Sequence, residues 1–291
     1  MDAYIIQGKR SAVGKAPRGK LRFTRPDDLA STVIQDMLSG VPNLDRERIE
    51  DVIVGNATPE AEQGLNVGRM ISLMSLDTDK VPGMTVNRYC SSGLNSIAMA
   101  ATQIQSGFSD CIIAGGVESI STSQGHTNMH MYVNEDLAAN APGIYHAMGT
   151  TAEAVAQRYD VSREAQDEYA LSSQQRCAAA QDAGRYDDEI IPMATKMMLM
   201  NKETGDSKEV DYVVDKDECN RPGTTMEALS GLKPVFDPEN GTVTAGNSSQ
   251  LSDGASVTLI MSEEKALEQG LKPLAYFRGF TTMGCEPDEM G

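Results

Sequence analysis

Cys90 lies in the run Val86-Asn87-Arg88-Tyr89-Cys90-Ser91-Ser92-Gly93-Leu94, between an apolar stretch that reads as a strand and a periodic stretch that reads as a helix. A cysteine at such a junction meets free amide N–H groups and the positive end of the helix dipole. Both favour the thiolate, the nucleophilic form. Gly93 lets the first helical turn pack closely or lets a ligand approach it. Spacing alone leaves a second reading open, in which the cysteine is buried and packs as a small apolar residue. Cys111, Cys177, Cys219 and Cys285 are widely separated and form no C-x-x-C. That argues against a zinc site or a disulfide framework and for reduced thiols.

The elements that must hold Cys90 read as α/β, because continuous apolar runs alternate with helical periodicity. Strands are expected at Ala3–Ile6, Asp51–Gly55, Gly83–Asn87 and Cys111–Ala114. Helices are expected at Asp28–Ser39, with Leu29, Val33, Ile34 and Met37 on one face, and at Gln63–Leu76, with Val67, Ile71 and Met74 in register. A third helix, Ser91 to Gln105, carries Leu94, Ile97, Ala98, Ala101 and Ile104 on one stripe and forms a parallel crossover between the strands on either side of it. After Ser119 the periodicity weakens. A long helix with Ser162 as N-cap, Glu164 in its first turn and Gly184 as its stop is the clearest feature of the next stretch. Residues 200–240 are polar and punctuated by Gly and Pro. The strand pattern returns at Ala255–Met261, followed by a short helix, Ser262–Gln269, and a strand, Leu274–Phe280. The division expected is a core of residues 1–118 and 249–271, an inserted subdomain at 119–248, and a further strand in 272–291.

Hydrophobic residues make up 40% and charged residues 23%, which fits a packed globule. No apolar run reaches membrane-spanning length and no signal segment opens the chain, so a soluble cytoplasmic protein is expected. A net charge of −17 excludes a general affinity for nucleic acid. Within residues 1–25, however, seven Lys and Arg face only Asp2. That stretch suits a phosphate-bearing ligand, or else it is solvated or paired with the chain's own acids. No G-x-G-x-x-G or Walker pattern occurs, so no nucleotide redox cofactor, flavin or metal is implied.

VNRYCSSGL resembles the active-site segment of the thiolases, and four further stretches agree in order and spacing. Gly115-Gly116-Val117-Glu118-Ser119 resembles a family turn. Met148-Gly149-Thr150-Thr151-Ala152-Glu153 resembles the start of a helix in the family's loop domain. Gly241–Gly254 (GTVTAGNSSQLSDG) resembles the pantetheine-contacting segment, and Ser11–Asp28 the N-terminal loop. The resemblance implies a thiolase-like N-terminal half: a mixed five-stranded sheet flanked by helices, with an inserted loop domain. It implies that Cys90 is the acylated nucleophile, its own N–H forming part of an oxyanion hole. Arg221 would lie near the adenine end of coenzyme A, and Ala245 and Ser249 along the pantetheine arm. Met148 would lie beside the acyl group and Phe236 in an apolar wall; core packing is an equal reading for these two. Gly115, Gly116 and Glu118 would shape a loop. Asn247, Ser248 and Asp253 would close a turn through side-chain hydrogen bonds.

The implied reaction is acyl transfer between 3-ketoacyl-CoA and coenzyme A, as in fatty-acid β-oxidation, or its condensation reverse. Coenzyme A is then a substrate, no cofactor is bound permanently, acyl-CoA thioesters are the partners, and a homodimer or homotetramer is the expected assembly. Family segments that carry the base and proton-transfer groups, Gly-His-Pro, Asn-Glu-Ala-Phe and Cys-x-Gly, do not occur. His126, His130 and His146 precede no proline, and Cys285 is followed by Glu286-Pro287. The chain is therefore expected to be the N-terminal part of a thiolase, weakly active or inactive alone, with an apolar face that favours self-association. Ala147, where biosynthetic members carry histidine before Met-Gly, leans towards the degradative branch. Two alternatives stand beside this: an acyl-CoA-binding fragment without catalysis, and a related condensing enzyme of the ketoacyl-synthase type.

Overall fold

The computed structural model describes residues 2–200 and 204–290. Residues 1, 201–203 and 291, which fall within the divisions and the polar stretch expected above, lie outside the described residues. In chain order the strands are β1 (Ala3–Ser11), β2 (Gly14–Lys15), β3 (Asp51–Gly55), β4 (Gly83–Val86), β5 (Cys111–Ser119), β6 (Ile190–Ile191), β7 (Met193–Met200), β8 (Ser207–Val214), β9 (Ser252–Ser262) and β10 (Ala275–Tyr276). The helices are α1 (Pro26–Ser39), α2 (Val67–Leu76), α3 (Ser92–Gln105), α4 (Ile120–Ser123), α5 (Glu135–Asn140), α6 (Met148–Arg158), α7 (Arg163–Asp182), α8 (Met226–Ser230) and α9 (Glu263–Glu268).

Two compact units divide the chain. The first comprises Met1–Thr127, Asp187–Cys219 and Leu251–Phe280; the second comprises Asn128–Tyr186, Asn220–Gln250 and the residues from Thr281 onward. The boundaries at 119 and 248 expected from sequence differ from this, chiefly because 187–219 groups with the sheet.

The first unit is a mixed sheet in the order β10-β1-β9-β5-β3-β4. Strands β3, β4 and β5 run parallel, and β9 is antiparallel to both β5 and β1. The five long strands are those of the expected fold. Alternation along them sorts the core onto two faces. Val52, Val54, Ile113, Leu259 and Met261 face one way and pack with Leu29, Val33, Ile34 and Met37 of α1 and Val67 and Ile71 of α2. Ile53, Ile112 and Ile260 face the other way and pack with Ala100, Ala101 and Ile104 of α3. The expected crossover is present, but β4 and β5 flank β3 on opposite sides rather than pairing with each other.

Several boundaries move for physical reasons. The family turn expected at Gly115–Ser119 is strand: β5 continues through it because β9 comes close there. A Cβ on Gly115 would stand 2.0 Å from Ser256 O. Helix α2 starts at Val67, not Gln63, since Ala61 and Leu65 have positive φ (50° and 55°) and 61–63 forms only a 3-10 turn. Leu274–Phe280 is mostly irregular; only Ala275–Tyr276 pairs, antiparallel with β1 at the sheet edge. The β7–β8 hairpin, a separate two-stranded sheet, was not expected. Among the described residues no helix is long and apolar enough to cross a membrane.

In the second unit the signals at Ser162 and Gly184 hold. Ser162 Oγ accepts from Ala165 N–H at 3.2 Å, and Gly184 has φ 64°, just past the end of α7.

Candidate functional site

Cys90 is exposed, two residues ahead of α3, at the end of a turn that begins where β4 stops. The turn is closed by its own polar groups. Asn87 Oδ1 accepts from Tyr89 N–H at 2.8 Å, and Ser92 Oγ accepts from Arg88 N–H at 2.7 Å. Ser91 and Ser92 N–H donate to Arg88 O and Tyr89 O. Arg88 reaches Asn95 Oδ1 at 2.6 Å. Tyr89 has φ 45°, a left-handed conformation that a non-glycine residue keeps only when its surroundings enforce it. The first turn of α3 is pressed onto the sheet where β3 ends: a Cβ on Gly55 would lie 2.3 Å from Ser92 C. The buried-cysteine reading fails at position 90 but describes Cys111 of β5. Burial pushes the Cys111 thiol up to about 12. All five cysteines are free thiols. Two open cavities of this unit, about 490 and 550 Å³, are lined by other residues and do not include Cys90.

Loop shaping by Glu118 is visible. Its carboxylate accepts from Ala57 N–H at 2.7 Å and from Gln63 Nε2 at 2.8 Å. Asp253, expected in a turn, instead caps α4: it accepts from Ser121 N–H at 2.9 Å and from the Ser121 hydroxyl. Burial raises its carboxyl above the usual range, and those hydrogen bonds offset only part of that.

The basic N-terminal stretch is largely paired with the chain's own groups. Arg10 holds Asp217 through two bonds at 2.8 and 3.0 Å and Glu189 at 2.7 Å. Arg25 pairs with Asp27, Arg22 donates to Met198 O, and Lys20 sits 4.7 Å above the Tyr212 ring.

The remaining expected site residues belong to the second unit. Met148 opens α6 and is 48% exposed. Phe236, 45% exposed, lies flat on the neighbouring Gly149, where a Cβ would come within 1.9 Å of the ring. The structure thus brings Met148 and Phe236 to one place. Ala245 and Ser249 are exposed on the segment 241–249. That segment is held by α6 and α7. Glu153 accepts from Thr242 N–H, Thr242 Oγ1 and Val243 N–H at 2.8–2.9 Å. Asn247 donates to Asp167 Oδ1 at 2.9 Å and accepts from Thr244 N–H at 2.7 Å. Arg163 secures the other oxygen of Asp167. Arg221 is exposed, and its N–H donates to Gln174 Oε1 at 2.8 Å. Sequence reading missed Asp167 and Gln63. Asp167 follows an N-cap on a polar helix, with nothing in its spacing to mark it as buried. Gln63 was assigned to a helix that starts later.

Comparison with known proteins gives this geometry its context. The family model for the N-terminal domain of thiolases matches residues 3–264. The chain belongs to the thiolase family. It is 46% identical over 292 residues to a 3-ketoacyl-CoA thiolase of Bacillus subtilis, aligning over all of this chain and 73% of that one. A peroxisomal 3-ketoacyl-CoA thiolase 1 of Arabidopsis thaliana is 39% identical, with 100% of this chain and 64% of that protein covered. The crystal structure of the Bacillus anthracis acetyl-CoA acetyltransferase superposes with a TM-score of 0.83 at 36% identity, over 99% of this chain and 72% of that one. The thiolase N-terminal fold expected from sequence is therefore the fold observed.

Proposed function

We propose that Cys90 carries an acyl group as a thioester in thiolase-type transfer between 3-ketoacyl-CoA and coenzyme A. The supporting observation is the exposed sulfur at the head of α3, in the family's own motif. The Cys90 thiolate attacks the 3-keto carbon of the substrate. The C2–C3 bond breaks, and its electron pair leaves with acetyl-CoA as the enolate, which then takes a proton. Free coenzyme A, as thiolate, attacks the acyl-cysteine and releases the shortened acyl-CoA. In this reading the backbone N–H of Cys90 itself forms part of the oxyanion hole, Ala245 and Ser249 contact pantetheine, Arg221 the adenine end, and Met148 with Phe236 the acyl chain. Ala147 before Met148 and the 3-ketoacyl-CoA relatives favour the degradative direction. A homodimer or homotetramer in the cytoplasm is the form in which we expect it to work.

The test is incubation with an acyl-CoA, then peptide mass spectrometry. An acyl adduct on Cys90 that coenzyme A discharges is expected; an adduct confined to other cysteines, or none, refutes the reading. Because the 291 residues contain no Gly-His-Pro or Cys-x-Gly, their steady-state thiolysis should fall at least about 10²–10⁴-fold below that of a complete thiolase. Full rates would overturn that expectation. Coenzyme A binding by titration without any adduct would favour a binding fragment.

A further inference from the structure

We propose that Glu118 is a positioning residue for Cys90, acting through the loop after β3 and through Asn87; the inference rests on the acyl-transfer reading of Cys90. Glu118 stands near the end of β5, on a strand that does not carry the nucleophile. Its two carboxylate oxygens are used separately. One accepts from Ala57 N–H at 2.7 Å and the other from Gln63 Nε2 at 2.8 Å. Buried Gln63 is itself committed on both sides: its Nε2 also donates to Thr58 O at 2.8 Å, and its Oε1 accepts from Ser119 N–H at 2.6 Å. These bonds fix the segment from Ala57 to Gln63 against the end of β5. Ala57 then presents its carbonyl to Asn87 Nδ2 at 3.0 Å. The other end of the Asn87 side chain, Oδ1, accepts from Tyr89 N–H. Tyr89 is the residue with positive φ directly before Cys90. A continuous path of hydrogen bonds therefore runs from Glu118 through Ala57 and Asn87 to the strained residue that aims the sulfur. Strain of this kind persists only where neighbours over-determine it. Asn87 is exposed, so its amide stays in place only if the Ala57 carbonyl is held still.

Only a carboxylate fits position 118 opposite Gln63. In Glu118→Gln the new amide can accept from Ala57 N–H only by turning its NH2 towards the NH2 of Gln63, and two donors then face each other. Gln63 relieves this by flipping, which breaks its bonds to Ser119 N–H and to Thr58 O. The exchange Gln63→Glu with Glu118→Gln keeps all these contacts except the one to Thr58 O.

The experiment is a rate comparison in the full chain. Iodoacetamide labelling is followed cysteine by cysteine by peptide mass spectrometry, with exposed Cys285 as internal reference and buried Cys111 as fold control. Acylation of Cys90 by an acyl-CoA is measured alongside. Glu118→Gln and Asn87→Ala should each lower Cys90 labelling relative to Cys285 by about fivefold or more, with Cys111 still protected. The double variant should be no slower than the slower single variant, because both residues lie on one path. The maximal acylation rate should fall while the half-saturating acyl-CoA concentration holds, and the Gln63→Glu/Glu118→Gln exchange should recover most of the loss. Cys90 labelling within twofold of wild type in Glu118→Gln, multiplying losses in the double variant, or no recovery in the exchange overturns the proposal. Should Glu118→Gln fail to fold, shown by labelling of Cys111, Asn87→Ala and the exchange variant decide alone. Wild type that accepts no acyl group from acyl-CoA sinks the acyl-transfer reading instead, and the labelling ratios still test the path.

Discussion

Gly55 ends β3 where any other residue would place a carbon 2.3 Å from the Ser92 carbonyl carbon. The obstacle is backbone on a packed helix, so it cannot swing aside as a long side chain would. Gly55→Ala should therefore lift the first turn of α3 off the sheet. Overpacking of this kind costs about 1–3 kcal/mol. A shift of the urea midpoint by that amount, together with slower labelling of Cys90, is the expected result. A variant within ~0.5 kcal/mol of wild type would show that α3 has room to move. At this scale the sequence pointed to Cys90, the residue on which the proposed acyl transfer rests. Strand, turn and helix around Cys90 could be read from apolar spacing, and the residues VNRYCSSGL themselves carried the resemblance to a thiolase segment. Hidden were the left-handed Tyr89, the pressure of Gly55 on Ser92, and the path from Glu118. Each depends on strands brought together from distant parts of the chain, and local propensity does not encode them.

Among elements, the segment 241–247 has no regular structure of its own and takes its shape from α6 and α7. Glu153, one turn and a half into α6, binds Thr242 and Val243 through amides that would otherwise be left unpaired. An unpaired buried amide costs about 1–3 kcal/mol. Glu153→Ala should leave α6 intact, since alanine is a good helix former, yet release the segment. Amide hydrogen exchange should speed up about tenfold or more at Thr242 and Val243 and little within α7. Unchanged protection there would show that Asn247 and Asp167 hold the segment unaided. Helices were the legible elements: α1 matched its apolar stripe, and α7 its cap and stop. The β7–β8 hairpin was missed although Val210, Tyr212 and Val214 alternate inward along β8. That signal was masked by reading the polar Gly/Pro-punctuated stretch as one insertion.

On the scale of the whole molecule, the parallel crossover through α3 could be read in the order of the apolar runs, and the mixed sheet flanked by helices followed from the family resemblance. The grouping of 187–219 with the sheet could not be read, because it rests on contacts between distant segments: β6 pairs with β1, Ile191, Met193 and Val214 pack into the sheet's core, and charge pairs add to these. Arg10 on β1 reaches Glu189 ahead of β6 and Asp217 after β8, so one guanidinium ties together pieces about 180 to 207 residues apart. Burial pushes the Asp217 carboxyl up, but the bonds from Arg10 and from Val13 N–H outweigh it and hold it below the ordinary aspartate range. The folded state therefore binds fewer protons than the unfolded one between the lowered value and the usual ~3.9. Stability from this group is complete above that range and is lost as pH falls through the lowered value. Asp253 acts in the opposite sense at higher pH, since its raised carboxyl makes the folded state the better proton binder. A pH series on wild type alone would mix the two. The difference between wild type and Asp217→Asn isolates one: the variant should be less stable near neutrality, and the gap should close as the pH drops below about 4. Urea unfolding midpoints at several pH values measure it. A gap that stays constant down to acid would mean that Asp217 contributes through packing, not through its charge, and that Arg10 does not hold the 187–219 segment to the sheet electrostatically.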